Sequence, residues 1–352
     1  MPGHDLIVIG GSAGSVGALQ AIVEALPADL PATVCIVIHV APYLPNTLPE
    51  VLQRVTALDV RVATHGAPLE YRTIYVAPSN EHLLIEPGRL RLAHGPKENR
   101  TRPAIDPLFR SAALHFGPRV IGVILSGALD DGTAGLWAVK DCGGIAVVQD
   151  PMDALVPSMP RSAITYVAVD HVYAATAIAP ILTKVVRTPL QPRLVAPRAD
   201  VADLEREVGI AAVDESTHWR SERYGVPSRF ACPECGGVLW HARSDGPLSL
   251  RCEVGHAYSG AALAEDQTDA VERALWAALR ALEDKAELAT LRAANADDRG
   301  QDDVATRLRV QRDASQAHAA TIRQLLRMNA RSEQSPNEAA EAAGLGEPPM
   351  VG

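Results

Sequence analysis

The chain has 352 residues, 47% of them hydrophobic and 21% charged, with a formal net charge of −9. That length fits roughly two domains, and the composition can fill a real core. The negative balance argues against nucleic acid as a general partner, which needs a basic surface, and no apolar run approaches the ~18 residues of a membrane span.

The N-terminus carries no basic region and no cleavage site, and its apolar run Leu6-Ile7-Val8-Ile9 is too short for a signal peptide. It reads as a first strand. Further runs of the same kind are Val34 to Ile38, Val120 to Leu125 and Ile145 to Val148. Continuous apolar runs are what strands covered on both faces look like. Amphipathic segments lie between them, such as Val16 to Leu26 and Thr133 to Cys142. Over residues 5–186 this alternation predicts an α/β fold, a doubly wound and mostly parallel sheet. Residues 73–92 break the pattern. The short runs Ile74-Tyr75-Val76, Leu83-Leu84-Ile85 and Leu90-Arg91-Leu92, punctuated by Pro78-Ser79-Asn80 and Pro87-Gly88, predict an antiparallel hairpin inserted in the sheet.

Beyond that domain, taken as 1–188, Pro189, Pro192 and Pro197 mark a linker over 189–227. A small cysteine-bearing unit occupies 228–260. Helical spacing over 261–330, broken at Asn295 to Gly300, predicts a helical hairpin that buries Trp276, Leu279 and Leu282. It could also serve a partner. The acidic segment 331–352 reads as a disordered tail.

Gly10-Gly11-Ser12-Ala13-Gly14 joins the first strand to a helix and fits G-x-S-x-G, the nucleophile elbow. Small neighbours let the chain turn sharply and lift the hydroxyl above the sheet, beside helix N-terminal amides. The same glycines also fit a phosphate loop, but that reading wants an acidic residue after the second strand, where His39 stands. His39 is a candidate base, because imidazole transfers protons near neutrality. The third strand runs into Ser126-Gly127-Ala128-Leu129-Asp130-Asp131-Gly132. Either aspartate could orient His39, and either could cap the following helix.

Cys232-Pro233-Glu234-Cys235 and Cys252-Glu253-Val254-Gly255-His256 flank a predicted hairpin. C-x2-C with C-x3-H supplies the four tetrahedral ligands of a structural zinc, with His241 as a rival fourth ligand. Cys35 and Cys142 lie in apolar segments and read as packing residues. Five cysteines used this way fit a reducing compartment, so the expected location is the cytoplasm.

Residues 5–186 resemble the catalytic domain of the chemotaxis protein-glutamate methylesterase (CheB) family. The resemblance is carried by Ile9 to Gly14, Ile38-His39, Val76-Ala77-Pro78 with His82, Arg102 to Phe109, Leu125 to Gly132 and Met159-Pro160-Arg161. It implies catalytic roles for Ser12 and His39, selects Asp131 over Asp130, and implies oxyanion amides at Ala13 and Ala128. The family loop usually carries Met where this chain has Ala128. Relatives that stand alone carry a similar zinc-ribbon-like unit and helices. Typical members begin with a phosphorylatable receiver domain, which this chain, opening at the catalytic strand, is expected to lack.

The implied reaction is hydrolysis of glutamyl methyl esters on a chemoreceptor-like signalling protein, with glutamine deamidation as a side activity. It implies no cofactor for catalysis. Arg100, Arg102 and Arg161 are candidates to orient an acidic receptor helix. The competing readings are a hydrolase of the same fold on another ester or amide, and a non-catalytic signalling scaffold.

Overall fold

The computed structural model describes residues 3–39, 47–190, 201–214, 226–241 and 246–342. The chain opens with β1 (Leu6–Gly11), α1 (Ser15–Glu24), β2 (Thr33–Ile38), α2 (Leu48–Gln53), β3 (Asp59–Val62) and β4 (Thr73–Val76), followed by β5 (His82–Glu86) and β6 (Arg89–Ala93). Next come α3 (Ile105–Phe116), β7 (Val120–Ile124), α4 (Thr133–Asp141), β8 (Ile145–Gln149), α5 (Ser158–Tyr166), β9 (His171–Tyr173) and α6 (Ala175–Val186).

Seven strands form one sheet in the order β3-β4-β2-β1-β7-β8-β9, and every pair in it is parallel. The alternation along β1 explains its unbroken apolar sequence. Leu6 and Val8 enter one core with Phe109, Leu136 and Met159; Ile7 and Ile9 enter another with Leu19, Ile22 and Leu182. Burying each such side chain contributes about 1.5–3 kcal/mol, so helices on both faces follow from the pattern. The strand order reverses at β1, with β2 on one side and β7 on the other. That is where the carboxyl ends of an open sheet leave a crevice.

The hairpin differs from expectation in its placement. Ile74 to Val76 lie in β4, a parallel member of the main sheet, while β5 and β6 pair with each other in a separate two-stranded sheet. Leu83, Ile85 and Leu90 point into the core shared with α3, so the hairpin is a cover for that helix.

Within the stretch read as a linker, α7 (Val201–Ala211) is a docked helix. It buries Leu204, Val208 and Ile210, and its buried Glu207 pairs with Arg110 of α3 at 3.2 Å. Pro192 and Pro197 lie outside the described residues. The cysteine-bearing unit is a four-stranded antiparallel sheet of β10 (Pro227–Ala231), β11 (Val238–His241), β12 (Ser249–Cys252) and β13 (Ala257–Ser259). It belongs to the same compact unit as the main sheet, Met1–Ala264.

The second unit, Glu265–Gly352, holds a helical hairpin made from all of α8 (Gly260–Asp297) beyond its first five residues and from α9 (Asp302–Ala342). Leu279, Ala319 and Leu326 form its small core, flanked by Leu275, Leu282 and Ile322. Trp276 does not join them. It is 54% exposed, with its indole N–H donated to Glu272 one turn earlier. Part of the expected tail continues α9, and residues 343–352 lie outside the described residues.

Candidate active site

Ser12 follows β1, His39 follows β2, and Asp131 ends the loop after β7, so three chain-distant residues leave adjacent strand ends together. The Ser12 N–H donates to Ser126 O at 2.9 Å, and the His39 N–H to Gly11 O at 3.2 Å, which fixes both backbones to neighbouring strands. The turn into α1 bends at Gly14, whose φ of 74° is left-handed; a side chain there would also meet Leu155.

Ser12 Oγ lies 3.1 Å from His39 Nδ1, and His39 Nε2 lies 2.8 Å from Asp131 Oδ2. A carboxylate only accepts, so Nε2 carries the ring proton and the Nδ1 lone pair faces the hydroxyl. Thr101 Oγ1 stands 3.3 Å from the same Nε2.

Asp131 is buried and richly donated to. Oδ2 also accepts the Ile105 N–H at 2.7 Å, and Oδ1 accepts Asn99 Nδ2 at 2.9 Å, with the Asp106 N–H at 3.4 Å. Ile105 and Asp106 open α3, whose own cap residue Ala104 offers no side-chain acceptor. Asp131 therefore satisfies orphan donors at that helix start, where the helix dipole also favours an anion. Burial alone would raise its pKa. The hydrogen bond and charge of His39, the Ile105 N–H and Asn99 outweigh burial and hold it below the ordinary aspartate value.

Asp106 behaves oppositely. Burial first, then the nearby Asp131 charge, pushes its pKa well above the ordinary value. Its Oδ1 accepts the Gly135 N–H at 2.6 Å, and its Oδ2 accepts Asn99 Nδ2 at 2.9 Å. One amide group thus bridges the two carboxylates.

Asp130, the other candidate in the loop, points elsewhere. Its Oδ1 accepts the Ser259 hydroxyl at 2.5 Å. The backbone N–H groups of Ala13 and Ala128 have no hydrogen-bond partner among the described residues, and both residues are exposed beside Ser12 in sequence or loop. Gly127, directly before Ala128, is required by close approach. A Cβ there would lie 2.0 Å from Met159 Sδ and 2.9 Å from Ser12 Cβ.

The sequence missed Asn99, Thr101 and Asp106. Asp106 sat inside a recognised stretch without a role, and Asn99 has only its aptitude for left-handed turns as a signal. His82 proves structural: it is fully buried, takes the Ala104 N–H at 3.2 Å on Nδ1 and bonds Pro96 O at 2.8 Å through Nε2. Burial lowers its pKa. Arg102 is bound to Asn80 Oδ1 and Gly95 O, which leaves its guanidinium committed within the fold rather than offered to a receptor helix. Cys35 is fully buried, and burial pushes its thiol pKa up, in line with a packing role.

Ligand atoms of Cys232, Cys235, Cys252 and His256 all lie within 4.8 Å of one another. Cys235 Sγ is 3.6 Å from Cys252 Sγ, and His256 Nδ1 is 3.5 Å and 3.7 Å from the Sγ atoms of Cys252 and Cys232. Ligands about 2.3 Å from a tetrahedral centre stand about 3.7 Å apart, so this set can hold a metal ion. His241, on β11, is outside the cluster.

The pattern of the CheB methylesterase family matches residues 7–182. The chain belongs to the CheB methylesterase family. A protein-glutamate methylesterase/protein-glutamine glutaminase of Anaeromyxobacter dehalogenans is 40% identical over 168 residues, 48% of this chain and 49% of that relative. The chain therefore spans about half the length of that curated relative. A Leptospira interrogans relative is 36% identical over 191 residues, which cover 54% of this chain and 99% of the relative. The crystal structure of the Thermotoga maritima CheB methylesterase catalytic domain superposes with a TM-score of 0.50 at 32% identity, covering 51% of this chain and 97% of that one. Family membership and the parallel sheet thus agree over the first domain. No helix among the described residues is long and apolar enough to cross a membrane.

Proposed function

We propose that this chain is a serine esterase that hydrolyses glutamyl methyl esters on a chemoreceptor-like signalling protein in the cytoplasm. The observation that carries the reading is the hydroxyl–imidazole–carboxylate chain at 3.1 Å and 2.8 Å over three adjacent strand ends. The names of its family relatives support the substrate class.

In this reading His39 Nδ1 takes the Ser12 proton as Oγ attacks the ester carbonyl. Asp131 holds the Nε2 proton and stabilises the imidazolium. The Ala13 and Ala128 amides receive the oxyanion. Collapse of the intermediate expels methoxide, which leaves as methanol with the proton from Nδ1. Water then gives its proton to Nδ1, attacks the acyl-enzyme and releases glutamate and free Ser12. A glutamine side chain takes the same route with ammonia as the leaving group. No step requires a cofactor. Cys232, Cys235, Cys252 and His256 would hold a structural zinc, since all four positions are protein groups.

The test is methanol release from a methylated receptor by native protein and by Ser12→Ala. Release by the native protein alone supports the reading. Fluorophosphonate labelling of Ser12 without methanol release would point to a hydrolase of another ester or amide, and no labelling would point to a scaffold.

A further inference from the structure

Asn99 links Asp131 to the cysteine-bearing unit. While Nδ2 donates to Asp131 and Asp106, Oδ1 accepts the Ser259 N–H at 2.8 Å, and the Asn99 backbone N–H donates to Ala257 O at 2.9 Å. One residue earlier, buried Glu98 lies between Arg110 of α3 and Arg251 of β12, whose Nη1 is 3.1 Å away. Arg251 is itself fully buried, and its Nε and Nη2 have no partner among the described residues. Glu98 and Gly255 O are what hold it. Lys97 pairs with Glu234 at 2.7 Å. Glu234, Arg251, Ala257 and Ser259 each lie within three residues of a candidate metal ligand.

The turn they grip needs holding. Asn99 and Arg100 have φ of 48° and 71°, and Glu98 and Thr101 close the turn with reciprocal backbone bonds. Two successive non-glycine residues in the left-handed region persist only when surroundings enforce them. Thr101, at the end of this turn, is the residue whose hydroxyl also faces His39 Nε2.

We infer that the cysteine-bearing unit is an internal positioning module for Asp131: metal held by Cys232, Cys235, Cys252 and His256 fixes β12 and β13, these fix Asn99, and Asn99 fixes the carboxylate that orients His39. The inference rests on the esterase reading above. Asn99 is a positioning residue, since it touches Asp131 and not the reacting atoms. Loss of the metal loosens Ser259 and Arg251, frees the turn and removes one donor from Asp131. Turnover then depends on a metal that no substrate touches.

The experiment uses full-length protein, zinc-loaded or stripped by chelator with the metal content measured, as native chain and as Asn99→Ala. Two readouts are followed: the rate of Ser12 labelling by a fluorophosphonate across pH, and the downfield proton NMR signal of the His39 Nε2–H held by Asp131. Stripping and Asn99→Ala are each expected to slow labelling about ten- to a hundredfold, as for loss of a hydrogen bond to a charged group, and to weaken the downfield signal while far-UV dichroism of the α/β fold persists. Stripping the Asn99→Ala variant is expected to add little, because both act through one contact. If stripped protein precipitates, Ser259→Pro, which removes the N–H given to Asn99 with metal in place, is expected to reproduce the effect, and Ser259→Ala, which removes only the hydroxyl bonded to Asp130 and Ala262, is not. An unchanged rate and signal after stripping would overturn the inference, as would full additivity or a chain that binds no zinc. Native protein that does not label at all would sink the esterase reading instead, and the NMR signal would then decide the positioning role alone.

Discussion

Asp106 and Asp131 cap each other's helices. Asp131 lies just before α4 but accepts the first N–H of α3 at 2.7 Å; Asp106 lies in α3 but accepts an N–H of α4 at 2.6 Å. Each carboxylate answers the orphan donors of the element that the other belongs to. The exchange locks α3 against α4 and sets the height of Asp131 over the sheet.

The pair gives opposite signs to acid titration. Asp131 has a depressed folded pKa, so its stabilisation is present above the unfolded value near 3.8 and is lost as pH falls through the lower folded value. Asp106 has a raised folded pKa, so its contribution is complete below 3.8 and is lost as pH rises through the folded value. Melting temperature measured against pH should show this directly. Between 3.8 and the folded pKa of Asp106, native protein should lose stability relative to Asp106→Ala as pH rises. Parallel curves would contradict the assignment.

Asp131→Asn should abolish the base without removing the imidazole. An amide NH2 facing Nε2 forces the ring proton onto Nδ1, and Nδ1 can then no longer accept from Ser12. A wrong tautomer of this kind costs about 10⁴-fold in turnover. Methanol release or fluorophosphonate labelling would measure it. His39→Ala should be at least as severe, because residues that act as a unit fail together.

The candidate metal cluster makes a ligand prediction. His256→Ala should lose bound zinc, whereas His241→Ala should keep it, because His256 and not His241 places a ring nitrogen among the three cysteine sulfurs. Metal analysis of the two purified variants decides this. Retention by His256→Ala would exclude the assigned ligand set.

The strands and the candidate Ser12 and His39 were legible because each obeys a local rule, whereas the choice of Asp131 over Asp130 came only from the family resemblance. Buried parallel strands read as unbroken apolar runs, and functional groups collect where those runs end. The Cys232/Cys235/Cys252/His256 cluster was legible from spacing. What the sequence hid depends on contacts made far away. Asn99 draws its role from Ser259, 160 positions along the chain, and no periodicity encodes that bond. Spacing does not separate Asp130 from Asp131; the bond from the Ser259 hydroxyl to Asp130 does. The helix over 201–211 was masked by flanking prolines, and Trp276 kept a hydrophobic appearance although its ring faces solvent.

Gly127→Ala should disable the site by crowding and not by chemistry. The added methyl would sit 2.0 Å from Met159 Sδ and 2.9 Å from Ser12 Cβ, so Met159 must move or Ser12 must leave its line to His39. Met159 is fully buried on α5, and overpacking of such a position costs about 1–3 kcal/mol. Labelling of Ser12 should therefore fall, together with a lower melting temperature. Met159→Ala opens the space that the methyl needs. The double variant Gly127→Ala with Met159→Ala should then label faster than Gly127→Ala alone, although Met159→Ala by itself destabilises through the cavity it leaves. If the double variant is as slow as the single one, the clash with Ser12 dominates, and the wall formed by Met159 is not what requires glycine at this position.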